Sequence, residues 1–396
     1  MKRYRIRICA LLMALIMIIG NPLPILAENG AASAGPEIGA PSALLMEAST
    51  GTVIFEKNAD EPRNPASVTK IMTLILIFDA LQSGKIKLSD EVVTSAHAKS
   101  MGGSQVFLEE GEIQTVETLI KCIVIASGND ASVAMAEFIG GDEGTFVRMM
   151  NERAAGLGME HTTFVDCCGL TEDPAHVTTA RDIALMSREL LINHPQVHDY
   201  CTIWMDTIIH NTAKGSQEFG LSNTNKLIKQ YEYCTGLKTG STSDAGFCVS
   251  ATAKKDNMEL IAVIMNGETS KSRFLDATTL LNYGYANYQI YQDTDADREK
   301  LYEIPVKGGV KTEVLPIYEK DYAYLLMNGE SLNDVEKRLE LPEVIEAPVA
   351  NKQILGTLSY YHGNEKMGEV NILASEEVDA AKYMDYVERV WLAWMM

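Results

Sequence analysis

The spacing of apolar residues predicts mainly helices in the first half of the chain. Ser42 to Glu56 contains two short apolar runs around Ser49-Thr50-Gly51, a pattern typical of a β-hairpin. From Ser67 to Leu81 apolar residues recur at helical spacing. The same spacing predicts four more helices, at 116–126, 131–139, 145–157 and 179–191.

Strand patterns return near residue 233. The segments 233–238, 245–253 and 259–266 alternate or run apolar, and a polar turn separates the last two. A further helix is predicted from Ser272 to Tyr288. Strands at both ends with helices between them predict an antiparallel sheet whose first and last strands meet, with a helical cluster on it. The predicted fold class is therefore α+β.

The charged segment 293–300 marks a predicted boundary between a main domain at 41–292 and a second domain at 301–375. Within 301–373, short β-rich runs alternate with Gly and Asn turns. The second domain is therefore expected to be small and mostly β.

Residues 378–396 return to helical spacing, with an apolar stripe opposite a charged face. The stripe consists of Tyr383, Tyr386, Val387, Val390, Trp391 and Trp394. An amphipathic helix with Trp and Tyr suits a membrane interface. The alternative is a helix packed on the second domain, and the mixed, non-basic polar face weakens the membrane interpretation.

The first residues have the pattern of an export signal. Four basic residues precede an apolar run from Ile8 to Ile19, and a plausible cleavage site follows at Ala27. We expect a signal peptide at 1–27, a flexible leader at 28–40 and a mature protein outside the cytoplasmic membrane. An uncleaved membrane anchor is the alternative, for which the apolar run is short.

Charge and cysteine usage exclude several classes of protein. The net charge of −20 becomes −24 without residues 1–27, which argues against a nucleic-acid partner. Six cysteines remain, without the close, even spacing of a disulfide scaffold, so we expect buried thiols; a Cys167–Cys168 link is the alternative. Neither a C-x-x-C nor an H-E-x-x-H spacing indicates a metal site.

Three short motifs carry candidate chemistry: Ser67-Val-Thr-Lys70, Ser127-Gly-Asn129 and Lys238-Thr-Gly240. By residue usage the first two are each expected about once in such a chain, and K-T-G about one time in ten. The motifs therefore indicate a function only because all three occur together, in this order and at the expected places in the predicted helices and strands. Each motif also has a purely structural interpretation: Ser67 as an N-cap, Lys70 as a surface lysine, 127–129 as a loop that caps the next helix, and 238–240 as a surface turn.

The first motif suits a nucleophile and its base. Ser67 and Lys70 are three residues apart at the start of a helix, so their side chains share one face. A serine hydroxyl needs a base within hydrogen-bond reach. Because the helix after Lys70 is apolar nearly all round, the lysine is expected to be desolvated, which lowers its pKa. Lys238 in the same cleft would lower that pKa further.

The longer stretches 65–73, 126–131 and 236–246 resemble the low-molecular-mass penicillin-binding proteins, the S11 serine-type D-alanyl-D-alanine carboxypeptidases. The likeness extends over about residues 40–290, and the β-rich region fits that family's second domain. It implies a penicillin-binding, β-lactamase-like catalytic domain. It also implies peptidoglycan stem peptides ending in D-Ala-D-Ala as substrate, β-lactams as covalent inhibitors, no cofactor or metal, and a bacterial cell-wall location at the outer face of the cytoplasmic membrane.

The resemblance assigns roles residue by residue. Ser67 would be the acylated nucleophile, Lys70 its base and Ser127 a proton relay. Asn129 would hold the substrate amide. Lys238 and Thr239 would bind the terminal carboxylate. The remaining positions are Gly240, which lets the backbone approach, Ser241, which would share the oxyanion hole with the Ser67 N–H, and Arg273, which would assist carboxylate binding.

Departures and alternatives remain. The family commonly has Asn-Pro-His-Gly-Leu where this chain has Asp166-Cys-Cys-Gly-Leu170, so the resemblance assigns no role to this loop. A class A β-lactamase would need a Glu-x-x-Leu-Asn loop, which does not occur between Ser127 and Lys238. The penicilloyl-enzyme should therefore persist. Three other hypotheses are open: a transpeptidase, a DD-endopeptidase on peptide crosslinks and a non-catalytic penicillin-binding sensor.

Overall fold

A computed structural model describes residues 35–213, 215–294, 298–327, 329–331 and 334–395. The predicted signal peptide at 1–27 and the first part of the predicted leader, 28–34, lie outside the described residues. The helices are α1 (Lys70–Gln82), α2 (Ala96–Ser100), α3 (Val116–Val124), α4 (Asn129–Gly140), α5 (Glu143–Gly156), α6 (Ala180–Asn193), α7 (Val197–Cys201), α8 (Leu227–Gln230), α9 (Ser270–Asn287) and α10 (Tyr383–Met395).

The strands up to residue 293 are β1 (Ser42–Glu47), β2 (Val53–Lys57), β3 (Glu91–Val93), β4 (Ile113–Thr115), β5 (Met205–Thr212), β6 (Gly215–Ser222), β7 (Cys234–Thr242), β8 (Gly246–Lys255), β9 (Met258–Gly267) and β10 (Tyr288–Asp293). Those that follow are β11 (Ile304–Lys307), β12 (Glu313–Val314), β13 (Pro316–Tyr318), β14 (Tyr322–Met327), β15 (Val335–Glu340), β16 (Ile345–Glu346), β17 (Ile354–His362) and β18 (Glu365–Ala374).

Five strands form one antiparallel sheet in the order β2-β1-β9-β8-β7. The first strand, β1, pairs with β9, the last, and Leu44 lies opposite Val263. The predicted meeting of first and last strands is therefore confirmed. β7 lies at an edge of the sheet, where its Lys238-Thr-Gly240 segment adjoins the turn that precedes α1.

Helices cover both faces of this sheet. On one face Leu44 and Val263 belong to the core shared with α1, α3, α4, α5 and α6. On the other face Leu45 and Ile264 pack in a second core with Phe274 of α9. Because both faces are buried, β9 is apolar at nearly every position instead of alternating.

The helix predicted from Ser67 begins three residues later than expected. Ala66–Thr69 form a 3-10 turn, and α1 starts at Lys70. A 3-10 turn is common at the start of an α-helix, and here Ala66 enters it with a φ of +47°, in the left-handed region. Ser67 therefore lies inside a tight turn and is not an N-cap, since Pro65 caps the turn and Thr69 caps α1.

The hairpin formed by β5 and β6 was not predicted from the sequence. β6 is mostly exposed and carries few apolar residues, so it lacks the period-two pattern of a half-buried strand. The pairing places Ile208 opposite Phe219. The short β3–β4 pair was missed for a different reason, since strands of only three residues are too short to show a period.

The region after residue 300 is rich in strands, as predicted. It holds a four-stranded sheet, β13-β18-β17-β15, and a three-stranded one, β12-β11-β16, over two small apolar cores. β10 pairs with β14, so β structure begins before the charged segment at 293–300. The domain bounds at 41–292 and 301–375 stay a prediction.

The last helix begins at Tyr383 and not at Val378, because Val378 exchanges backbone hydrogen bonds with Val349. None of the residues of α10 is buried. Among the described residues, no helix is long and apolar enough to cross a membrane. The six cysteines after Cys9 are free thiols, so the Cys167–Cys168 link is absent.

Candidate active site

Ser67 lies where the 3-10 turn meets the edge strand β7. Gly240 packs directly on this turn, since a Cβ built there would lie 2.8 Å from the Ser67 nitrogen and 2.8 Å from the Pro65 carbonyl oxygen. No side chain fits at 240 without a backbone shift. The close approach brings the end of the Lys-Thr-Gly segment beside the serine.

Lys70 is fully buried, and its Nζ has three oxygen neighbours. Nζ lies 2.9 Å from Ser67 Oγ, 2.7 Å from Asn129 Oδ1 and 2.8 Å from the carbonyl oxygen of Cys168. Burial lowers the pKa of Lys70 below its ordinary 10.5. The structure therefore brings three of the sequence-predicted residues together around one amine.

The partners of Lys70 constrain how a neutral amine is oriented. The Cys168 carbonyl oxygen can only accept, and so can Asn129 Oδ1, whose amide Nδ2 donates to the Gly102 carbonyl over 2.7 Å. A neutral lysine has two N–H donors and one lone pair. When both N–H groups bond to these acceptors, the lone pair is left for the proton of the Ser67 hydroxyl, which is the arrangement that a general base needs.

Ser127 and Lys238 form a second contact in the same site. Lys238 is buried, and its Nζ donates to Ser127 Oγ over 2.9 Å and to the Thr239 carbonyl oxygen over 2.9 Å. Ser127 has a φ of +60°, in the break between α3 and α4 where the sequence predicted a turn. Burial, and next the charges of Lys70 and Arg273, hold the pKa of Lys238 well below its ordinary value.

The other predicted residues lie along β7 and beside it. The Thr239 hydroxyl donates to Thr224 Oγ1 over 2.7 Å, and Ser241 is exposed at the end of the strand. Arg273, on α9, donates through Nη1 to the carbonyl oxygens of Gly240 (3.0 Å) and Cys248 (3.1 Å). Burial lowers the pKa of Arg273 to about 10. The side chain of this arginine therefore contacts the Lys-Thr-Gly strand at a backbone carbonyl of that strand.

Two family models match consecutive parts of the chain. The model for D-alanyl-D-alanine carboxypeptidase, peptidase S11, matches residues 29–269. The chain belongs to this family. The model for the C-terminal domain of penicillin-binding protein 5 matches residues 290–380. The predicted family, the α+β fold class with a β-rich second part, and the serine-type DD-carboxypeptidase activity are confirmed.

Relatives of this S11 carboxypeptidase cover nearly its whole length. D-alanyl-D-alanine carboxypeptidase DacF of Bacillus subtilis is 39% identical over 384 residues, 97% of either chain. DacA of Escherichia coli is 30% identical over 370 residues, 91% of this chain and 89% of DacA. The crystal structure of penicillin-binding protein 5 from Haemophilus influenzae superposes with a TM-score of 0.71 at 30% identity, covering 87% of this chain and 98% of that one.

The S11 carboxypeptidase site includes a loop to which the sequence assigned no role. The segment 166–171 lies under the Ser67 turn and presents the Cys168 carbonyl oxygen to Lys70. A Cβ on Gly169 would lie 1.9 Å from the Ala66 carbonyl oxygen. A backbone carbonyl has no signature in a sequence, so only the Cys-Cys-Gly-Leu pattern itself could have drawn attention to this contact.

A second missed group is His176, which is buried behind the serine turn of the carboxypeptidase. The Val165 N–H donates to His176 Nδ1 over 3.0 Å, so the ring is neutral and carries its proton on Nε2. That N–H donates to Thr69 Oγ1 over 2.8 Å, and the Thr69 hydroxyl donates to the Ala66 carbonyl over 2.8 Å. The chain of hydrogen bonds braces the residue before Ser67.

Proposed function

We propose that this carboxypeptidase cleaves the bond between two D-alanines through an acyl-Ser67 intermediate. Lys70 takes the hydroxyl proton of Ser67, and Oγ attacks the carbonyl of the penultimate D-alanine. The terminal D-alanine leaves, and water then hydrolyses the ester. The observation that carries this mechanism is the buried Lys70 amine, 2.9 Å from Ser67 Oγ and bonded to two acceptor oxygens.

The leaving amine needs a proton, and the terminal carboxylate needs a cation. Ser127 Oγ lies 2.9 Å from Lys238 Nζ, a position from which it relays a proton to the leaving D-alanine nitrogen. Lys238 and Thr239 bind the carboxylate, which restores the charge that burial disfavours on Lys238. Arg273 adds positive potential through its bonds to the Gly240 and Cys248 carbonyls.

The oxyanion of the tetrahedral intermediate is held by the backbone N–H groups of Ser67 and Ser241. The close packing of Gly240 on the Ser67 turn supports this assignment, since it brings the two segments together without an intervening side chain. Donors of this kind are worth about 3 kcal/mol each in acyl-transfer enzymes. Asn129 then binds the substrate amide while its Oδ1 contacts Lys70.

β-Lactamase activity is less favoured than carboxypeptidase activity, because a class A β-lactamase needs a glutamate to activate the deacylating water. The nearest sequence, Glu189-Leu-Leu-Ile-Asn193, ends helix α6, where Glu189 is paired with Arg153. That glutamate is therefore engaged in a structural ion pair. We expect the penicilloyl-enzyme to be long-lived and β-lactams to act as covalent inhibitors.

The reaction is tested with the peptide Ac-Lys-D-Ala-D-Ala, native protein and a Ser67→Ala variant. The native protein should release D-alanine, with none from a terminal L-alanine, and Ser67→Ala should release none. Ser100→Ala, an exposed serine on α2, is the matched control. No release by the native protein, together with cleavage of a crosslinked dimer, would favour the endopeptidase reading; binding of penicillin without turnover of either substrate would favour a sensor.

We also propose that α10 attaches the exported protein to the outer face of the cytoplasmic membrane. The stripe is exposed along its length, with exposed fractions of 78% for Tyr383, 70% for Val390 and 80% for Trp394. Arg389, on the charged face of the helix, donates to the carbonyls of Gly309 and Val310. These hydrogen bonds therefore do not involve the apolar stripe. Exposed apolar side chains in one contiguous stripe mark an interaction surface.

Sedimentation with phosphatidylcholine vesicles tests this attachment. Because the polar face is not basic, binding should depend weakly on salt and on anionic lipid. Val390→Asn with Trp394→Gln should abolish co-sedimentation, whereas Glu388→Gln on the charged face should not. Equal sedimentation of the stripe variant and the native protein would contradict the proposal.

A further inference from the structure

The carboxylate of Asp166 accepts hydrogen bonds from four consecutive backbone N–H groups. Oδ1 accepts from Cys168 (2.9 Å) and from Gly169, and Oδ2 accepts from Leu170 (2.9 Å) and Thr171 (2.7 Å). Hydrogen bonds to an ionised acceptor are about twice as strong as neutral ones. This single side chain therefore determines the orientation of the peptide groups in the loop.

One of these peptide groups also contacts Lys70. In a planar trans peptide the C=O of one residue and the N–H of the next point in opposite directions. Because the Gly169 N–H points at Asp166, the Cys168 carbonyl must point away from it, and there its oxygen meets Lys70 Nζ at 2.8 Å. A rotation of this peptide would take the acceptor away from the lysine.

We propose that Asp166 is a positioning residue for acylation, which acts through the peptide group between Cys168 and Gly169 to keep the lone pair of Lys70 on Ser67. The inference rests on the proposed role of Lys70 as the base. Asp166 itself contacts neither Ser67 nor Lys70 by hydrogen bond. Its effect passes through the Cys168 carbonyl, which occupies one of the two N–H groups of the neutral amine.

The other anchors of the loop fix its place but not the direction of that carbonyl. The Thr73 hydroxyl donates to the Cys167 carbonyl, one peptide earlier, and the Cys167 N–H donates to Glu143. Gly169 packs on the Ala66 carbonyl through its α-carbon. Since none of these contacts involves the Gly169 N–H, the orientation of the critical peptide depends on Asp166.

The charge of Asp166 supplies a second, separable readout. Lys70 is surrounded by the loop groups Asp166, Cys167 and Cys168, by Asp130 on α4 and by Lys238 on β7. Burial keeps the Cys167 thiol neutral by raising its pKa. The negative charge of Asp166 favours the ammonium form of Lys70, so its removal should move the deprotonation of Lys70 to lower pH.

The test is Asp166→Ala, which removes the charge and every hydrogen-bond acceptor of the side chain, whereas asparagine, the common family residue at this position, would keep one acceptor. Acylation by benzylpenicillin is followed in a stopped-flow instrument, with the rate constant and the dissociation constant of the initial complex measured separately from pH 5 to 10. We expect the acylation rate constant to fall about 10- to 100-fold with little change in initial binding. The acid limb of its pH profile should move to lower pH.

Asp173→Ala is the matched control, because Asp173 lies in the same loop region, is exposed and accepts with its side chain from a single N–H, that of Ala175. Asp166→Glu is the second variant: it keeps the charge but displaces the carboxylate, so it should slow acylation and leave the acid limb in place. Native acylation rates in either folded Asp166 variant would overturn the inference, as would a loss confined to initial binding. Full activity of Lys70→Arg would instead remove the proposed base.

Discussion

The α-carbon of Gly169 lies against the carbonyl oxygen of Ala66, so closely that a Cβ at 169 would be 1.9 Å from that oxygen. Ala66 has a φ of +47° and immediately precedes Ser67. The loop at 166–171 and the serine turn are therefore packed backbone to backbone. This contact requires glycine both for space and for the Gly169 φ of +74°.

Gly169→Ala should cost both stability and activity. A Cβ must displace the Ala66 carbonyl, which we expect to lower the free energy of unfolding by about 2–4 kcal/mol and to misplace Ser67. Gly158→Ala is the control, since Gly158 has a similar φ of +73° with no atom within 4 Å of its Cβ position. It should cost about 1 kcal/mol and leave acylation unchanged. Equal losses in urea unfolding of the two variants would contradict the packing argument.

Lys70→Arg should remove the proposed base while keeping a positive, hydrogen-bonding side chain. Arginine stays protonated at any working pH, so no lone pair can accept the Ser67 proton. We expect labelling by a fluorescent penicillin to slow about 1,000-fold, within the usual range for loss of a general base. The control is Lys121→Arg, at a lysine of α3 that pairs with Asp206 of β5, and it should label at the native rate. A Lys70→Arg protein that labels normally would exclude this lysine as the base.

Lys238 should matter for substrates that carry a terminal carboxylate. We expect Lys238→Ala to reduce kcat/KM for a D-Ala-D-Ala acid about 100-fold, because loss of one partner of a buried ion pair costs about 3 kcal/mol. The C-terminal amide of the same peptide should be affected far less. Lys254→Ala, an exposed lysine on β8, is the control. The proposed carboxylate site fails if acid and amide lose activity equally.

His176 should give the protein a pH-dependent stability. Burial lowers the pKa of His176 below its ordinary 6.5, so the unfolded chain binds a proton that the folded protein does not. This contribution is fully present above pH 6.5 and is lost as the pH falls from there towards the folded pKa. Chemical unfolding between pH 5 and 8 measures it.

The matching variant is His176→Asn, which keeps an acceptor for the Val165 N–H but does not titrate. Its free energy of unfolding should fall less steeply between pH 6.5 and 5 than that of the native protein. His161→Asn, at an exposed histidine, should keep the native slope. An unchanged slope in His176→Asn would assign the pH dependence to other groups.

Much of the fold was predictable from apolar spacing. The helix over 67–81 and the three strands after residue 233 were confirmed within a few residues, because each has a continuous or periodic apolar pattern that a two-sided core requires. The β5–β6 hairpin was missed because it is largely exposed, and an exposed strand does not need apolar residues at every second position. The start of α1 was misplaced because apolar spacing does not distinguish the 3-10 turn at Ala66–Thr69 from the α-helix that follows it.

The sequence by itself determined the family and predicted the residue types of the candidate site. Three motifs in a fixed order supply two serines, two lysines, an asparagine and a threonine, whose side chains carry the proposed chemistry. The tertiary structure alone decided what surrounds those side chains: the Cys168 carbonyl at Lys70, the Asp166 carboxylate behind it and His176 behind the serine turn. Backbone carbonyls and N–H groups are common to every residue, so their direction depends on how distant segments pack and not on which residues bear them.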